Sequence, residues 1–181
     1  MKKVLIALML TACMTTAGFA AKGTTSLSVL AGYAVPISGD WNDMVKGSMN
    51  AAVAGDYQFH DMFAAGLEIG YNFKHEAEVG DAEVKILYVA PYAKFLHKKD
   101  KMTFYGIFGF GWYQSKAEIT ILTVTTSTTE SDLGINLGGG IMFDVAENMQ
   151  LGGEVRWHHV FVEDMAVNNI VPAVKFSYLF N

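Results

Sequence analysis

The chain has 181 residues, is 51% hydrophobic and 13% aromatic, and carries a formal net charge of −5 at pH 7. With 18 acidic residues and a single arginine, it lacks the basic surface that nucleic-acid binding requires. Its length fits one domain, and a lone cysteine, Cys13, excludes a disulfide framework.

The first twenty residues predict a secretory signal peptide. A basic start, Met1-Lys2-Lys3, precedes an apolar run from Val4 to Met14, and Gly18-Phe19-Ala20 places small residues at a cleavage site. The run is too short to span a bilayer. Cleavage would leave residues 21–181 as the mature domain, with a formal charge of −7 because Lys2 and Lys3 are lost. Leu10-Thr11-Ala12-Cys13 resembles a lipoprotein box, which leaves lipidation of Cys13 as the alternative.

The mature sequence alternates apolar and polar residues with period two, which predicts β-strands rather than helices. The segments are 25–35, 48–59, 62–74, 83–96, 102–115, 131–144, 149–162 and 168–180. Eight strands is an even number, as a closed antiparallel up-and-down transmembrane β-barrel requires.

The two faces of these strands differ sharply in chemistry. One face is apolar and uncharged along every segment, as in Leu67, Phe108 and Val155, whereas the other carries glycine, polar and ionisable residues. Aromatic residues cluster at the strand ends, as they do at membrane interfaces. The predicted interface aromatics are Phe104, Trp112, Trp157, Phe176, Tyr178 and Phe180.

A soluble, lipocalin-like ligand-binding barrel would have the same alternation with the apolar face turned inward. Glycine on the polar face argues against it, because small residues suit the crowded interior of a narrow barrel. Connections that alternate between short and long also favour a membrane barrel with short periplasmic turns. Pro91 and Pro172 fall inside predicted strands, so we expect a bulge or a lost hydrogen bond at each.

The chain resembles the small eight-stranded outer-membrane barrels of bacteria, typified by the outer-membrane protein A transmembrane domain and the OmpX group. The resemblance rests on the signal peptide, the alternating strands, the long loops on one side and the terminal aromatic alternation Phe176-Ser177-Tyr178-Leu179-Phe180. One departure is Asn181, which follows the final phenylalanine. The resemblance implies outer-membrane lipid and lipopolysaccharide as surroundings, and recognition of the last strand by the barrel assembly machinery.

Ionisable residues on the polar face predict a charge network in the lumen. If the last connection centres near residues 165 and 166, Arg156 lies opposite Lys175, with Glu154 one diagonal step away and Glu68 within the same network. The network would fill the barrel and satisfy its own charges. A narrow porin-like channel for small solutes is the alternative.

The sequence gives little support for enzymatic modification of lipid A or for metal binding. Some similar barrels are lipid A-modifying enzymes, but here His158 and His159 lack a neighbouring serine, and Ser177 lies near the periplasmic end. Consecutive strand residues point to opposite faces, so the two histidines cannot chelate one metal ion. We expect one lumen histidine, one rim histidine, no cofactor and no metal.

The outer connection from Lys116 to Glu130 is rich in β-branched residues, which favour extended structure. We expect strands five and six to continue as a hairpin above the membrane, whose edge could pair with an extracellular protein. Trp41 in the first loop is expected to be exposed and to add to this surface. The sequence thus predicts a monomeric, non-enzymatic barrel with an envelope-structural or adhesion-like role; a hairpin without a partner is the alternative.

Overall fold

The computed structural model describes residues 23–77, 82–121, 124–162 and 166–180. The predicted signal peptide, Cys13 and Asn181 lie outside these ranges. Within them the chain has eight strands and one short helix. They are β1 Thr25–Pro36, α1 Gly39–Met44, β2 Ser48–His60, β3 Phe63–Glu76, β4 Ala82–Lys99, β5 Met102–Ile121, β6 Val124–Ala146, β7 Met149–Phe161 and β8 Ala166–Phe180.

The strands form a closed antiparallel barrel in sequence order, as predicted. Each strand pairs with the next, and β1 pairs with β8 from Thr25–Phe180 to Pro36–Asn169, which closes the ring. Sequences that alternate with period two favour this fold. Closure of the ring pairs the edge of every strand, while the apolar side chains all lie on one face of the sheet. No helix in the described ranges is both long and apolar enough to cross a membrane.

The apolar face points outward, which decides between the two barrel interpretations. Leu67, Phe108 and Val155 are 43%, 59% and 53% exposed, and apolar residues of the other strands are exposed in the same way. A continuous apolar wall of this size is unfavourable in water and suits hydrocarbon. The soluble carrier interpretation is therefore inconsistent with the structure.

The predicted alternation of short and long connections is confirmed only in part, because β5 and β6 are so long that only two residues separate them. Two-residue turns join β2 to β3, β4 to β5 and β6 to β7 at one end, next to the start of β1 and the end of β8. Asp100 in the second turn has a φ of 54°, in the left-handed region that aspartate tolerates. At the other end, β5 and β6 pair as far as Ile121–Val124, so the predicted outer hairpin is confirmed.

Each internal proline interrupts the ladder on one side and leaves the register unchanged. Pairs between β4 and β5 stop at Val89–Trp112 and resume at Tyr92–Gly109, on either side of Pro91. The pairing of β1 with β8 is interrupted in the same way beside Pro172. The prediction of a local lost bond is confirmed, because proline has no N–H to donate to its neighbour.

Candidate functional site: the filled lumen and the outer hairpin

The four ionisable residues predicted for the lumen meet at its centre. Arg156 Nη2 lies 2.5 Å from Glu154 Oε1, and Arg156 Nη1 lies 3.0 Å from Glu68 Oε1. Lys175 Nζ contacts the second oxygen of Glu154 at 3.1 Å. All four side chains are at most 3% exposed. The arginine pairs are close in distance but lack hydrogen-bond alignment, so they act mainly as charge pairs.

The predicted register between β7 and β8 is wrong. Arg156 lies opposite Val171, and Lys175 lies opposite Gly152. The connection between these strands is centred nearer to the end of β7 than assumed, because β8 begins at Ala166. Glu154 keeps its diagonal position relative to Lys175 and separates the two cations.

A second buried ion pair lies nearer the end of the barrel with the two-residue turns, and the sequence analysis did not predict it. Lys94 Nζ on β4 donates to Asp56 Oδ2 on β2 at 2.6 Å, and the Tyr92 hydroxyl donates to the same oxygen at 3.0 Å. Gly66 of β3 pairs with both Asp56 and Tyr92, which leaves the space for this contact. Among the described residues, the buried carboxylates and the buried lysine and arginine side chains number three each, so their formal charges cancel.

Tyrosine hydroxyls tie the charged groups to the barrel wall. Tyr88 donates to Glu68 at 3.1 Å, and Tyr105 donates to Glu154 at 2.9 Å. The ring of each tyrosine covers a lumen glycine on the neighbouring strand. A Cβ at Gly140 would lie 2.5 Å from the Tyr105 hydroxyl oxygen, and one at Gly70 would collide with Tyr88. Gly140 and Gly70 therefore leave the space that these two tyrosine side chains occupy.

The outer mouth is closed by the first loop, and the prediction that Trp41 is exposed is wrong. Trp41 on α1 is 5% exposed and donates its indole N–H to Asn169 Oδ1 at 3.0 Å. It packs with Val45 on an apolar cluster that includes Tyr113 and Val160. Burial of this large apolar ring favours docking of the loop on the mouth.

Little open space remains inside. The internal cavity beside Arg156 has a volume of about 10 Å³, which suits roughly one water molecule. Leu30, Ile107 and Met142 also point inward and fill the lumen between the charged groups. The prediction of a polar and small interior is therefore incomplete, since aliphatic side chains occupy part of it.

The two histidines separate as predicted. His158 is buried and its Nδ1 lies 2.9 Å from the Tyr113 hydroxyl, whereas His159 stacks on Trp157 outside and contacts Asn168. Ser177 contacts Ser28 at 2.7 Å inside the barrel, far along β8 from the histidines. Within the described ranges no three His, Cys, Asp or Glu residues are placed to hold a metal ion.

The outer hairpin ends in an open strand edge. β7 pairs with β6 only up to the pair Gly134–Val160, while β5 pairs with β6 over the full length of the hairpin. The side of residues 126–133 that faces away from β5 therefore has no strand beside it in the described part of the chain. Glu130 and Asp132 lie on this edge and form no ion pair among the described residues.

A family described as outer membrane protein beta-barrel domain matches residues 4–180. The chain belongs to this family. An outer-membrane location and a transmembrane barrel follow. No curated protein matches the chain.

Solved structures of several outer-membrane barrels share the fold. Neisserial surface protein A aligns with a TM-score of 0.64 at 10% identity, over 87% of this chain and 97% of that one. OprG from Pseudomonas aeruginosa gives 0.65 at 12% identity, over 90% and 98%. Ail from Yersinia pestis gives 0.58 at 16% identity, over 87% and 100%. At these identities the likeness concerns the fold alone.

The aromatic residues predicted for the membrane interfaces lie on the outer wall of this outer-membrane barrel at different heights. Phe104 pairs with His97 and Phe180 pairs with Thr25, both at the end of the barrel that holds the chain termini, with Phe176 and Tyr178 above Phe180 on β8. Trp112 and Trp157 lie toward the other end. Phe104, Phe176 and Phe180 are 42%, 39% and 49% exposed. The placement of these residues at the two membrane interfaces, which aromatic residues prefer, stays a prediction.

Proposed function

We propose that this protein is a non-enzymatic, monomeric outer-membrane barrel with a closed lumen that interacts with an extracellular protein through the open edge of β6. The observation that carries the proposal is the hairpin itself, which extends beyond the rest of the barrel and leaves residues 126–133 without a neighbouring strand. An open edge presents backbone N–H and C=O groups that an extended peptide can pair with.

The chemistry of the edge suits exposure to water. Thr126 to Ser131 are all exposed, and hydroxyl side chains with Glu130 keep the strand soluble. The strand is nevertheless rich in β-branched residues, which hold it extended before a partner arrives. Main-chain pairing with such an edge needs little ordering, so the entropic cost of binding is small.

The other proposed contacts of the barrel are with the membrane and with the machinery that exports and assembles it. We assign the outer wall to outer-membrane lipid and lipopolysaccharide, and β8 with its terminal aromatic alternation to recognition by the barrel assembly machinery. A signal peptide over residues 1–20 accounts for export. The buried charges serve stability, and no cofactor or nucleic acid takes part.

A narrow channel for small solutes is the rival function. The occupied lumen and the docked Trp41 disfavour it, because conduction needs a continuous water path.

The test shortens the hairpin and measures adhesion. Residues 117–128 are replaced by Asn-Gly, which joins the paired residues Lys116 and Thr129 through a tight turn. A laboratory strain that produces the protein is assayed on fixed epithelial cells, fibronectin and laminin. We expect adhesion to be lost while heat-modifiable gel mobility, the sign of a folded barrel, is retained.

The matched control keeps the backbone edge and changes its side chains. The variant Ser127→Ala with Thr129→Ala should adhere like the wild type, because main-chain hydrogen bonds carry the interaction. Equal adhesion by the shortened and full-length proteins, or no adhesion by either, would contradict the proposal. Conductance steps of the wild type in planar bilayers would favour the channel instead.

A further inference from the structure

A continuous chain of ion pairs runs across three strands on the outer wall, above the apolar belt. Six side chains alternate in sign along it, and five contacts between 2.6 and 3.4 Å connect them. In order they are Glu76, Lys74, Glu83, Lys85, Glu118 and Lys116. The chain lies outside the lumen network and takes no part in it.

The cross-strand pairing of these residues is unusual because like charges lie opposite one another. Lys85 pairs with Lys116, Glu83 pairs with Glu118, and Glu83 also pairs with Glu76. Like charges directly opposite destabilise a sheet, and alternating them would give the same number of salt bridges at lower cost. The arrangement sorts the charges by height instead, with a lysine row below a glutamate row.

The lysine row lies next to the apolar part of the outer wall. Lys74 follows Phe73, which is 50% exposed on the outer wall. Lys85 lies one outward-facing position above Leu87, and Leu87 pairs with Tyr71 of the apolar belt. We expect lysines at this height to contact lipid headgroups, because exposed aromatic residues such as Phe73 are typical of the boundary of the hydrocarbon region.

The lysines keep spare hydrogen-bonding capacity. An ammonium group has three N–H donors, and Lys116 contacts the single carboxylate of Glu118. The side chains of Lys74 and Lys116 are 49% and 48% exposed. The glutamates above compensate part of the positive charge of the lysines and compete with an anionic ligand for them, but they leave N–H donors free.

We propose that the row of Lys74, Lys85 and Lys116 binds the phosphate groups of a glycolipid in the outer leaflet. Adjacent ammonium groups at headgroup height complement a phosphorylated sugar headgroup, whose acyl chains lie along the apolar wall below. The wall supplies the apolar contact and the lysines supply the charge contact. This site rests on the proposed contact of the outer wall with lipopolysaccharide and names the residues that bind it, and it does not depend on the hairpin interaction.

The experiment titrates the folded barrel in a neutral detergent with diphosphorylated lipid A, and follows binding by calorimetry. Dephosphorylated lipid A and inorganic phosphate are the two comparison ligands. The variant Lys85→Gln with Lys116→Gln should weaken the affinity for diphosphorylated lipid A about tenfold or more. Dephosphorylated lipid A and inorganic phosphate should bind the wild type much more weakly.

The matched control is Glu83→Gln with Glu118→Gln, which breaks the same salt bridges but leaves the lysines in place. A lipid site predicts unchanged or tighter lipid A binding by this variant, although its thermal midpoint falls. Equal losses of affinity in both variants would show that the ion pairs only support the sheet, and would overturn the proposal. So would an unaffected lysine variant, or inorganic phosphate binding as tightly as the lipid.

Discussion

Glu154 holds the centre of the lumen together, and its replacement by glutamine tests the proposed role of the charge network. The carboxylate contacts Arg156 at 2.5 Å and Lys175 at 3.1 Å, accepts a hydrogen bond from Tyr105 at 2.9 Å, and belongs to a residue that is 4% exposed. Glutamine keeps the shape and an acceptor oxygen but removes the negative charge. The lumen would then hold one uncompensated cation.

Breaking a buried ion pair costs about 3 to 5 kcal/mol. Because glutamine can still accept a hydrogen bond, we expect the lower end, about 3 kcal/mol. For a protein of this size that corresponds to a fall of roughly 6 to 12 °C in the thermal midpoint. Thermal unfolding in detergent, followed by gel mobility, measures it.

Two comparisons make the result specific. Lys98→Gln removes an exposed pair with Asp144, at 3.5 Å and 62% exposure of the lysine, and should cost less than about 1 kcal/mol. Adding Lys175→Met to the glutamine variant removes the stranded cation and should restore part of the lost stability. An unchanged midpoint for Glu154→Gln, or no recovery in the double variant, would refute the reasoning.

Further variants test other parts of the barrel. Gly70→Ala places a Cβ against the Tyr88 ring and should cost about 1 to 3 kcal/mol in thermal unfolding, with partial rescue by Tyr88→Leu; no loss would contradict the packing described. Trp41→Ala should cost about 3 to 5 kcal/mol and raise the protease sensitivity of the first loop. Hydrogen bonds from Lys116 and Lys85 lower the pKa of Glu118 to about 2. Since this lies below the unfolded value of about 4.3, its stabilisation is complete at neutral pH and is lost as the pH falls toward the folded pKa. The gap in midpoint between wild type and Glu118→Gln should therefore stay constant from about pH 8 to 6 and close in strong acid.

The sequence was sufficient for the strands and for the direction of each face, because period two determines both once one face meets lipid. The sequence did not determine the position of each residue along the barrel axis. The register of β8 depends on where the last outer connection turns, so Lys175 was placed opposite the wrong residue. Lys94 and Asp56 come from strands that are not neighbours, and their contact exists only because Gly66 lies between them.

Trp41 illustrates a different gap. A single tryptophan in a polar loop has no periodic neighbours that indicate whether it faces water or protein. Its burial depends on Asn169 of β8, which is distant in sequence and adjacent only after the ring is complete. Outer loops are therefore less predictable than strands, since their contacts are set by tertiary packing rather than by local pattern.

The pairing of Glu68 on β3 with Arg156 on β7 has a consequence for biogenesis. These strands lie on opposite sides of the cylinder, and Asp56 and Lys94 likewise meet across an intervening strand. A partly rolled sheet entering the bilayer would present bare ions to hydrocarbon, at a cost of several kcal/mol for each one. Insertion into the bilayer and closure of the barrel should therefore occur together. Partly assembled forms should either complete closure or leave the membrane.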